Sequence, residues 1–171
     1  MGGLLYISPS KVFCYTLRTM LDVPYFKQDT DYTCGPTSLQ MVLAYYGLKD
    51  SEAHLAKLLH TTNERGTWRV AMYELAVELG FHCYVNDDAP LAEIAYLLEL
   101  KVPPIVRFLE KESNEDHYGV VVGVTDEHVL IHDPWNGPHR RFQKEDFMER
   151  WICDEFGDCK QWLMAVSNEP L

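Results

Sequence analysis

Apolar residues follow two different spacings in this chain, and the change between them falls at residues 102–104, Val-Pro-Pro. Before that point they recur at i, i+3, i+4 and i+7, which aligns side chains along one helix face. This spacing predicts helical stripes over residues 39–46, 52–59, 68–79 and 91–98, with one strand over 81–85. After it, short β-branched runs predict strands over residues 105–108, 117–124, 129–133, 140–143 and 161–166, and one helix over 145–151. This order predicts an α+β fold with helices packed against an antiparallel β-sheet.

The length and composition predict one globular domain. The chain has 171 residues, of which 47% are hydrophobic and 24% are charged. A chain of this length is long enough to bury a substantial core. We assign residues 21–171 to the domain and residues 1–20 to an N-terminal extension that packs on it, with short strands over 4–7 and 12–17.

The charge balance argues against two classes of partner. The net charge is −11, and the only adjacent basic pair is Arg140-Arg141. Binding to phosphate groups requires clustered lysine and arginine. We therefore expect no nucleic-acid partner and no docking on an anionic membrane, while the oligomeric state cannot be read from the sequence.

The N-terminal residues and the cysteines bear on the compartment. Polar residues and a proline at positions 8–11 interrupt the N-terminal region early, which argues against a signal peptide. No run of about 18 apolar residues is present, so no membrane span is predicted. The five cysteines leave at least one thiol free, and a cytoplasmic location is the default expectation. Whether Cys153 and Cys159 pair is left open.

One cysteine lies where a nucleophile would be activated. Cys34 is followed by Gly35 and Pro36, and proline suits the first turn of a helix. The positive end of the helix dipole favours a thiolate, which is the nucleophilic form of cysteine. Six positions upstream, the side-chain amide of Gln28 could donate a hydrogen bond to an oxyanion.

A thiol nucleophile needs an imidazole base, which in turn needs an orienting group. His117 begins a strongly apolar strand, and Asp133 ends the next one. If these strands form an antiparallel hairpin with its turn at Thr125, the two residues are cross-strand neighbours. This pattern predicts a Cys34-His117-Asp133 triad.

Other residues compete for the same roles. His132 could be the base, but strand alternation turns it to the face opposite Asp133. Asp116 is a weaker alternative for the orienting group. Trp135 and Asn136, next to Asp133, are predicted to bind substrate at the rim of the cleft, together with the charged segment over residues 109–116, which is predicted as a loop.

Three segments together resemble a known family. They are DVPYFKQDTDYTCGPTSLQMVLAYYG, HYGVVVGV and VLIHDPWNG, followed by Phe147 and Trp151 in an FxxxW pattern. In this order they resemble the bacteriocin-processing, double-glycine leader peptidases, a branch of the papain-like cysteine peptidases. The resemblance covers roughly residues 21–151.

The resemblance implies a papain-like fold and a role for each matching residue. Cys34 would be the nucleophile, and Gln28 and the backbone N–H of Cys34 would form the oxyanion hole. His117 would act as general base and then as general acid, and Asp133 would orient it. Leader-cleaving members usually precede a membrane transporter, and Gly2-Gly3 lies too near the start to be a leader cleavage site. The expectation is therefore a cysteine peptidase or amidase that acts on an unidentified peptide or small amide through a thioester, without a cofactor.

Four alternatives stay open at this point. An acyltransferase would use the same triad and differ only in whether an amine or water resolves the thioester. A peptide-binding module could keep the fold without turnover. A thiol–disulfide oxidoreductase is disfavoured because Thr37 stands where a resolving cysteine would be needed. A metal site is not expected, because Cys153 and Cys159 have no matching pair at zinc-site spacing.

Overall fold

Five helices and eight strands make up the described part of a computed structural model, which covers residues 19–153 and 159–171. The helices are α1 (Cys34–Tyr45), α2 (Glu52–Leu58), α3 (Arg69–Glu78), α4 (Leu91–Glu99) and α5 (Lys144–Arg150). The strands are β1 (His82–Asn86), β2 (Ile105–Glu110), β3 (Glu115–Val124), β4 (His128–Asp133), β5 (Gly137–Gln143), β6 (Ile152–Cys153), β7 (Cys159–Lys160) and β8 (Leu163–Ser167). The strands predicted over residues 4–7 and 12–17 lie outside the described residues. The extension over residues 1–20 stays a prediction.

The sheet confirms the predicted α+β class. Six strands pair in the order β1-β8-β2-β3-β4-β5, and every pairing is antiparallel. β6 and β7 form a separate two-stranded ribbon. The three central strands β2, β3 and β4 follow one another in the chain as two hairpins. The start of β3 and the end of β4 therefore lie at the same end of the sheet.

The central helix α1 is buried along most of its length. Every residue from Cys34 to Leu39 is buried, and so are Met41, Val42 and Leu43. A helix that is covered on several sides belongs to the interior of a domain. It packs between β3 on one side and α2 on the other, and Gly47 ends it with φ of +86°. The nucleophile candidate at its first residue is therefore held by the core.

Two details of the sequence prediction are wrong. Trp68 does not share the buried stripe of α3, because it is the residue that precedes the helix and is 58% exposed. The segment over residues 109–116 is a loop only at residues 111–114, which form the turn between β2 and β3, because Leu109↔Asp116 and Glu110↔Glu115 are paired strand positions. Its charged side chains point to solvent or to ion pairs at the end of the sheet, so polarity concealed the strand.

No helix in the described ranges is long and apolar enough to cross a membrane.

The start of α1 packs so closely against the loop before α3 that only glycine fits at position 35. A Cβ at Gly35 would lie 2.6 Å from both Cβ and Oγ1 of Thr67. We expect G35A to lower the free energy of unfolding by about 1–3 kcal/mol, the usual cost of overpacking a core. Urea denaturation measures this change.

Gly123→Ala is the matched control, because a Cβ at this position would meet no atom nearer than 3.5 Å. We expect a change within about 0.5 kcal/mol for this variant. Equal stability of the two variants would show that α1 does not pack against Thr67 as described.

Candidate active site

Cys34 is the first residue of α1, as the sequence predicts. Its side chain is a free thiol and only 8% exposed. Thr33 precedes it with non-helical φ and ψ of −100° and 21° and caps no backbone amide with its side chain. The thiol therefore lies at the N-terminal end of a twelve-residue helix, where the dipole favours negative charge.

His117 and Asp133 are joined by a short hydrogen bond. His117 Nε2 lies 2.7 Å from Asp133 Oδ1, and the Asp133 side chain is fully buried. An ionised carboxylate can only accept, so Nε2 carries the hydrogen and Nδ1 is left for the thiol. The ring of Phe108 packs edge-on against the imidazole at 5.5 Å between centroids. The imidazole is thus fixed in both orientation and tautomer.

The register that brings them together differs from the predicted one by two residues. Val120 pairs with His132, so continuing this register places Asp133 opposite Gly119 rather than opposite His117. The turn is centred between Asp126 and Glu127, and the register shifts again between Val121 and Gly123. His117 and Asp133 are therefore diagonal neighbours, which long side chains can bridge.

Position 119, on β3, has no room for any side chain larger than that of glycine. A Cβ there would lie 2.6 Å from Ile131 Cγ2 and 3.2 Å from Phe108 Cε1. The missing side chain lets β3 lie close to Ile131 on β4 and to Phe108 on β2.

The pKa of His117 reflects these contacts. Burial alone would lower it, but hydrogen bonds to Asp133 and Cys34 and attraction to both groups raise the pKa of His117 to about 10. Cys34 therefore lies near enough to His117 to affect the charge of the imidazole. These interactions favour the protonated form of the His117 imidazole.

Asp133 is surrounded by hydrogen-bond donors. Besides His117, its Oδ1 accepts from the backbone N–H groups of Trp135 at 2.9 Å and Asn136 at 3.0 Å. Its Oδ2 accepts from Asn136 Nδ2 at 3.0 Å and from Arg140 at 2.7 Å. Burial alone would raise the pKa of Asp133, but the hydrogen bonds to His117, Asn136 and Arg140 hold it well below its usual value. The carboxylate therefore stays charged although water cannot reach it.

Arg140 is itself held in place by a second layer of charges. Its guanidinium also donates to Glu110, which in turn accepts from Arg150 at 3.1 Å. Sequence patterns do not reveal the roles of Glu110 and Arg150, and they show Arg140 only as part of a basic pair. Alternation along β5 places Arg140 on one face of the strand, but no local signal shows that the face belongs to the site.

Gln28 lies in the loop before α1 and is 4% exposed. Its backbone N–H donates to the Pro134 carbonyl at 3.0 Å, one residue beyond Asp133. Its Nε2 donates to the Thr30 carbonyl at 2.6 Å, and its Oε1 is buried without a partner in the part of the chain that the structure covers. Because a carbonyl accepts only from a donor, the contact with Thr30 identifies the nitrogen of the Gln28 amide. It uses one of the two Nε2 hydrogens.

Two neighbouring cavities lie at the candidate site, one beside His117 and the other beside Cys34. One of about 560 Å³ is lined by Gln28, His117, Trp135 and Asn136 among others, and one of about 790 Å³ is lined by Cys34. Both share Asp31, Glu115 and Asp116. We call the two cavities together the groove, and residues of the β2–β3 hairpin line both of them.

The two residues predicted to bind substrate differ in their contacts. Trp135 lines the groove and is 50% exposed. Asn136 also lines it, but its side chain donates to Asp133, so it supports the carboxylate as well.

The two competing residues have other partners. His132 is 2% exposed, hydrogen-bonds the Val23 carbonyl through Nε2 and accepts from the His139 N–H through Nδ1. Burial lowers its pKa, so it is a neutral core residue. Asp116 forms an ion pair with Arg107. Among residues 19–153 and 159–171, no group of three or more histidine, cysteine and acidic side chains could hold a metal ion.

The family model described as "Peptidase_C39 like family" matches residues 20–157. The chain belongs to this family. The predicted resemblance and the predicted class, a cysteine peptidase-like hydrolase, are thereby confirmed. The Transport/processing ATP-binding protein ComA of Streptococcus pneumoniae is 33% identical over 129 residues, which are 74% of this chain and 17% of ComA. The chain thus spans about a sixth of the length of such curated relatives.

Solved structures agree with the C39-like assignment. The peptidase domain of Streptococcus ComA, a bifunctional ABC transporter of a quorum-sensing pathway, has a TM-score of 0.69 and 26% identity, covering 84% of this chain and 97% of that domain. A double glycine motif protease from an AMS/PCAT transporter, solved with a leader peptide, has a TM-score of 0.69 and 20% identity, covering 88% and 94%. The papain-like fold predicted from the sequence is confirmed.

The site geometry leads to a titration experiment. We expect the His117 ring to stay protonated up to about pH 10 in the native protein, and Asp133→Asn to lower the pKa of His117 because it removes the charged acceptor. NMR spectra of the ring nitrogens across pH measure both values. His132 is the internal control, since it should titrate below its ordinary value in both proteins.

The same shift has a consequence for stability. The folded-state pKa of His117 lies above its unfolded value of about 6.5. Its stabilising contribution is therefore complete below that pH and is lost as pH rises toward about 10.

An identical His117 titration in wild type and D133N would contradict the effect of Asp133 on the pKa of His117.

Proposed function

We propose that this C39-like chain is a cysteine peptidase or amidase in which Cys34, His117 and Asp133 act as the catalytic triad. The observation that carries the proposal is the continuous chain from the Asp133 carboxylate through His117 to the thiol at the start of α1. These are the three residue types that acyl transfer by a thiol requires, in the required order.

The reaction follows from the positions of these groups. Sγ of Cys34 attacks the substrate carbonyl carbon, and the carbonyl oxygen becomes an oxyanion. His117 then gives its Nδ1 proton to the leaving nitrogen, the C–N bond breaks and an amine departs, leaving a thioester on Cys34. Water attacks the thioester and gives a proton to His117, which restores the thiolate and releases a carboxylic acid.

Gln28 and the backbone N–H of Cys34 supply the two oxyanion donors in this proposal. Gln28 Nε2 has two hydrogens, and one donates to Thr30. The other is available for the oxyanion, since Gln28 lines the same groove as His117. Donors that are fixed before reaction stabilise a developing charge more effectively than mobile water.

Asp133 and Arg140 do not touch the substrate in this mechanism but hold His117 in place. Asp133 stabilises the imidazolium and holds Nδ1 toward Cys34. Arg140 and the two backbone amides keep the buried carboxylate charged at acidic pH. Its folded-state pKa is depressed, so this support is present above about pH 4, the ordinary range of an aspartate, and weakens only in strong acid.

A peptide substrate fits the groove better than a small amide. His117 lines one cavity of the groove and Cys34 lines the adjoining one, which suits an extended chain that lies across both. The related double glycine motif protease was solved with a leader peptide. We carry over the peptide class alone, and we place the reaction in a reducing compartment, the cytoplasm, because the thiol must stay free.

Two alternatives differ from hydrolysis in a measurable way. An acyltransferase would resolve the thioester with an amine instead of water. A pure binding module would not need a protonated imidazole beside the thiol, so the raised pKa of His117 favours an enzyme.

The proposal is tested by the pH dependence of alkylation of Cys34 by iodoacetamide, resolved by peptide mapping. We expect the wild-type rate to stay high well below pH 8.5, and H117A to lower the rate near pH 6 by about tenfold or more, because the thiolate is the reactive form.

Cys83 serves as the internal control, because burial raises the pKa of its thiol to about 11. Equal reactivity of Cys34 in wild type and H117A would remove the basis for catalysis and favour the binding module.

Trp135 is expected to select substrates rather than activate the thiol. W135A should change the rank order in which members of a peptide library are cleaved, because the exposed ring lines the groove. Its alkylation rate should stay within about twofold of wild type, since the Trp135 contact to Asp133 comes from the backbone. Trp68→Ala is the matched control, as Trp68 is 58% exposed and lines neither cavity. Parallel losses of selectivity and alkylation in W135A would refute this role.

A further inference from the structure

A second buried carboxylate lies beside the loop that carries Gln28. Glu52 is the first residue of α2 and is 8% exposed. Both of its carboxylate oxygens lie 3.1 Å from the backbone nitrogen of Asp29, the residue after Gln28. Its Oε2 also lies 2.9 Å from Oγ1 of Thr37, on the buried side of α1.

The contacts of Glu52 are with neutral groups. Both the Asp29 amide and the Thr37 hydroxyl are neutral, and no ion pair involving Glu52 is formed within the two described stretches of chain. Burying a carboxylate without a cation is costly. The Glu52 carboxyl group is nevertheless buried where the Gln28 loop meets α1 and α2.

The loop is thereby fixed from two directions. The Gln28 amide donates to Pro134 in the sheet half, and the next amide, of Asp29, donates to Glu52 in the helical half. Inside the loop, the Gln28 side chain donates to Thr30, whose own N–H lies 3.3 Å from Thr33 Oγ1. Glu52 is the only one of these partners that is contributed by α2.

We propose that Glu52 is a positioning residue for the oxyanion donor Gln28. By binding the Asp29 N–H with both oxygens, it sets the backbone from which the Gln28 amide reaches the groove. This inference rests on the proposed function, because it needs Gln28 to act on an oxyanion. Glu52 itself touches neither the substrate nor the reacting atoms.

Two reagents separate this role from general support of the site. p-Nitrophenyl acetate acylates a thiol through a tetrahedral oxyanion: the S–C bond forms, the C–O bond to p-nitrophenolate breaks, and the released chromophore is measured. Iodoacetamide alkylates the same thiol by direct displacement of iodide, without an oxyanion. The ratio of the two rates at Cys34 therefore reports on the oxyanion hole, with Cys34→Ser as the background for other thiols.

The variants are E52Q, Q28A and the double variant. In E52Q an amide NH₂ replaces one of the two oxygens that accept from the Asp29 N–H, so a single oxygen is left to hold that amide. We expect E52Q to lower acylation by about tenfold and Q28A by about a hundredfold, in line with the usual costs of misplacing or removing a catalytic donor. Alkylation should stay within about twofold of wild type in both. In the Q28A background, E52Q should lower acylation by less than about twofold, because the group it positions is gone.

Glu74→Gln is the matched control, since Glu74 is an exposed residue of α3 and its change should leave both rates unaltered. If E52Q does not fold, E52D replaces it, because aspartate keeps the charge but withdraws it by one methylene from the Asp29 N–H.

The outcomes are distinct. A loss of acylation in E52Q that disappears in the Q28A background supports the proposal. The proposal is overturned if E52Q leaves acylation unchanged, or if E52Q lowers acylation by the same factor with Gln28 present and in the Q28A background. It is also overturned if E52Q lowers acylation and alkylation in parallel. Alkylation of Cys34 that depends on His117 would stand in each of these cases, so failure of this inference is distinguishable from failure of the triad.

Discussion

The site depends on keeping one fully buried carboxylate charged. Asp133 is out of reach of water, yet it accepts hydrogen bonds from His117, two backbone amides, Asn136 and Arg140. Buried charges persist only when they are paired and hydrogen-bonded. Since the carboxylate is fixed, the imidazole is fixed too, and its second nitrogen is left for the thiol. Arg140 on β5 joins Asp133 to Glu110 on β2, so the network around the base includes residues of four neighbouring strands, β2 to β5.

The nucleophile and the base come from different halves of the fold, and one loop joins them. Cys34 begins a helix that is buried in the core, whereas His117 and Asp133 come from a hairpin of the sheet. Between them runs the segment over residues 25–30. The hydroxyl of Tyr25 donates to the carbonyl of Asp133 at 3.1 Å, and the Gln28 amide donates to Pro134. The same segment contacts α2 through Asp29 and Glu52. These hydrogen bonds add to the direct packing of α1 against β3 in setting the relative position of the two halves.

The sequence alone carries the elements and the residue types of the site, because both depend on local patterns. Helical spacing, Gly47 and Pro36 locate α1, and a thiol at a helix start followed by a strand-borne histidine and aspartate indicates the triad. The predicted register is wrong by two residues because the turn centre and the shift near Gly123 depend on the assembled hairpin. Trp68 is misplaced by the helical pattern because periodicity cannot distinguish a buried helical residue from the one that caps the helix. The roles of Glu52, Glu110 and Arg140 do not show in the sequence, because a charged residue acquires such a role only through partners far away in the chain.

The most direct test of the central claim is to digest a peptide library in water enriched in heavy oxygen and to analyse the new C termini by mass spectrometry. Hydrolysis through a Cys34 thioester predicts new C termini that carry the heavy oxygen with wild type, and none with Cys34→Ser or His117→Ala. New amide-linked products instead of labelled C termini would indicate transfer to an amine. A wild-type digest that matches that of Cys34→Ser would contradict the claim that this site is a peptidase.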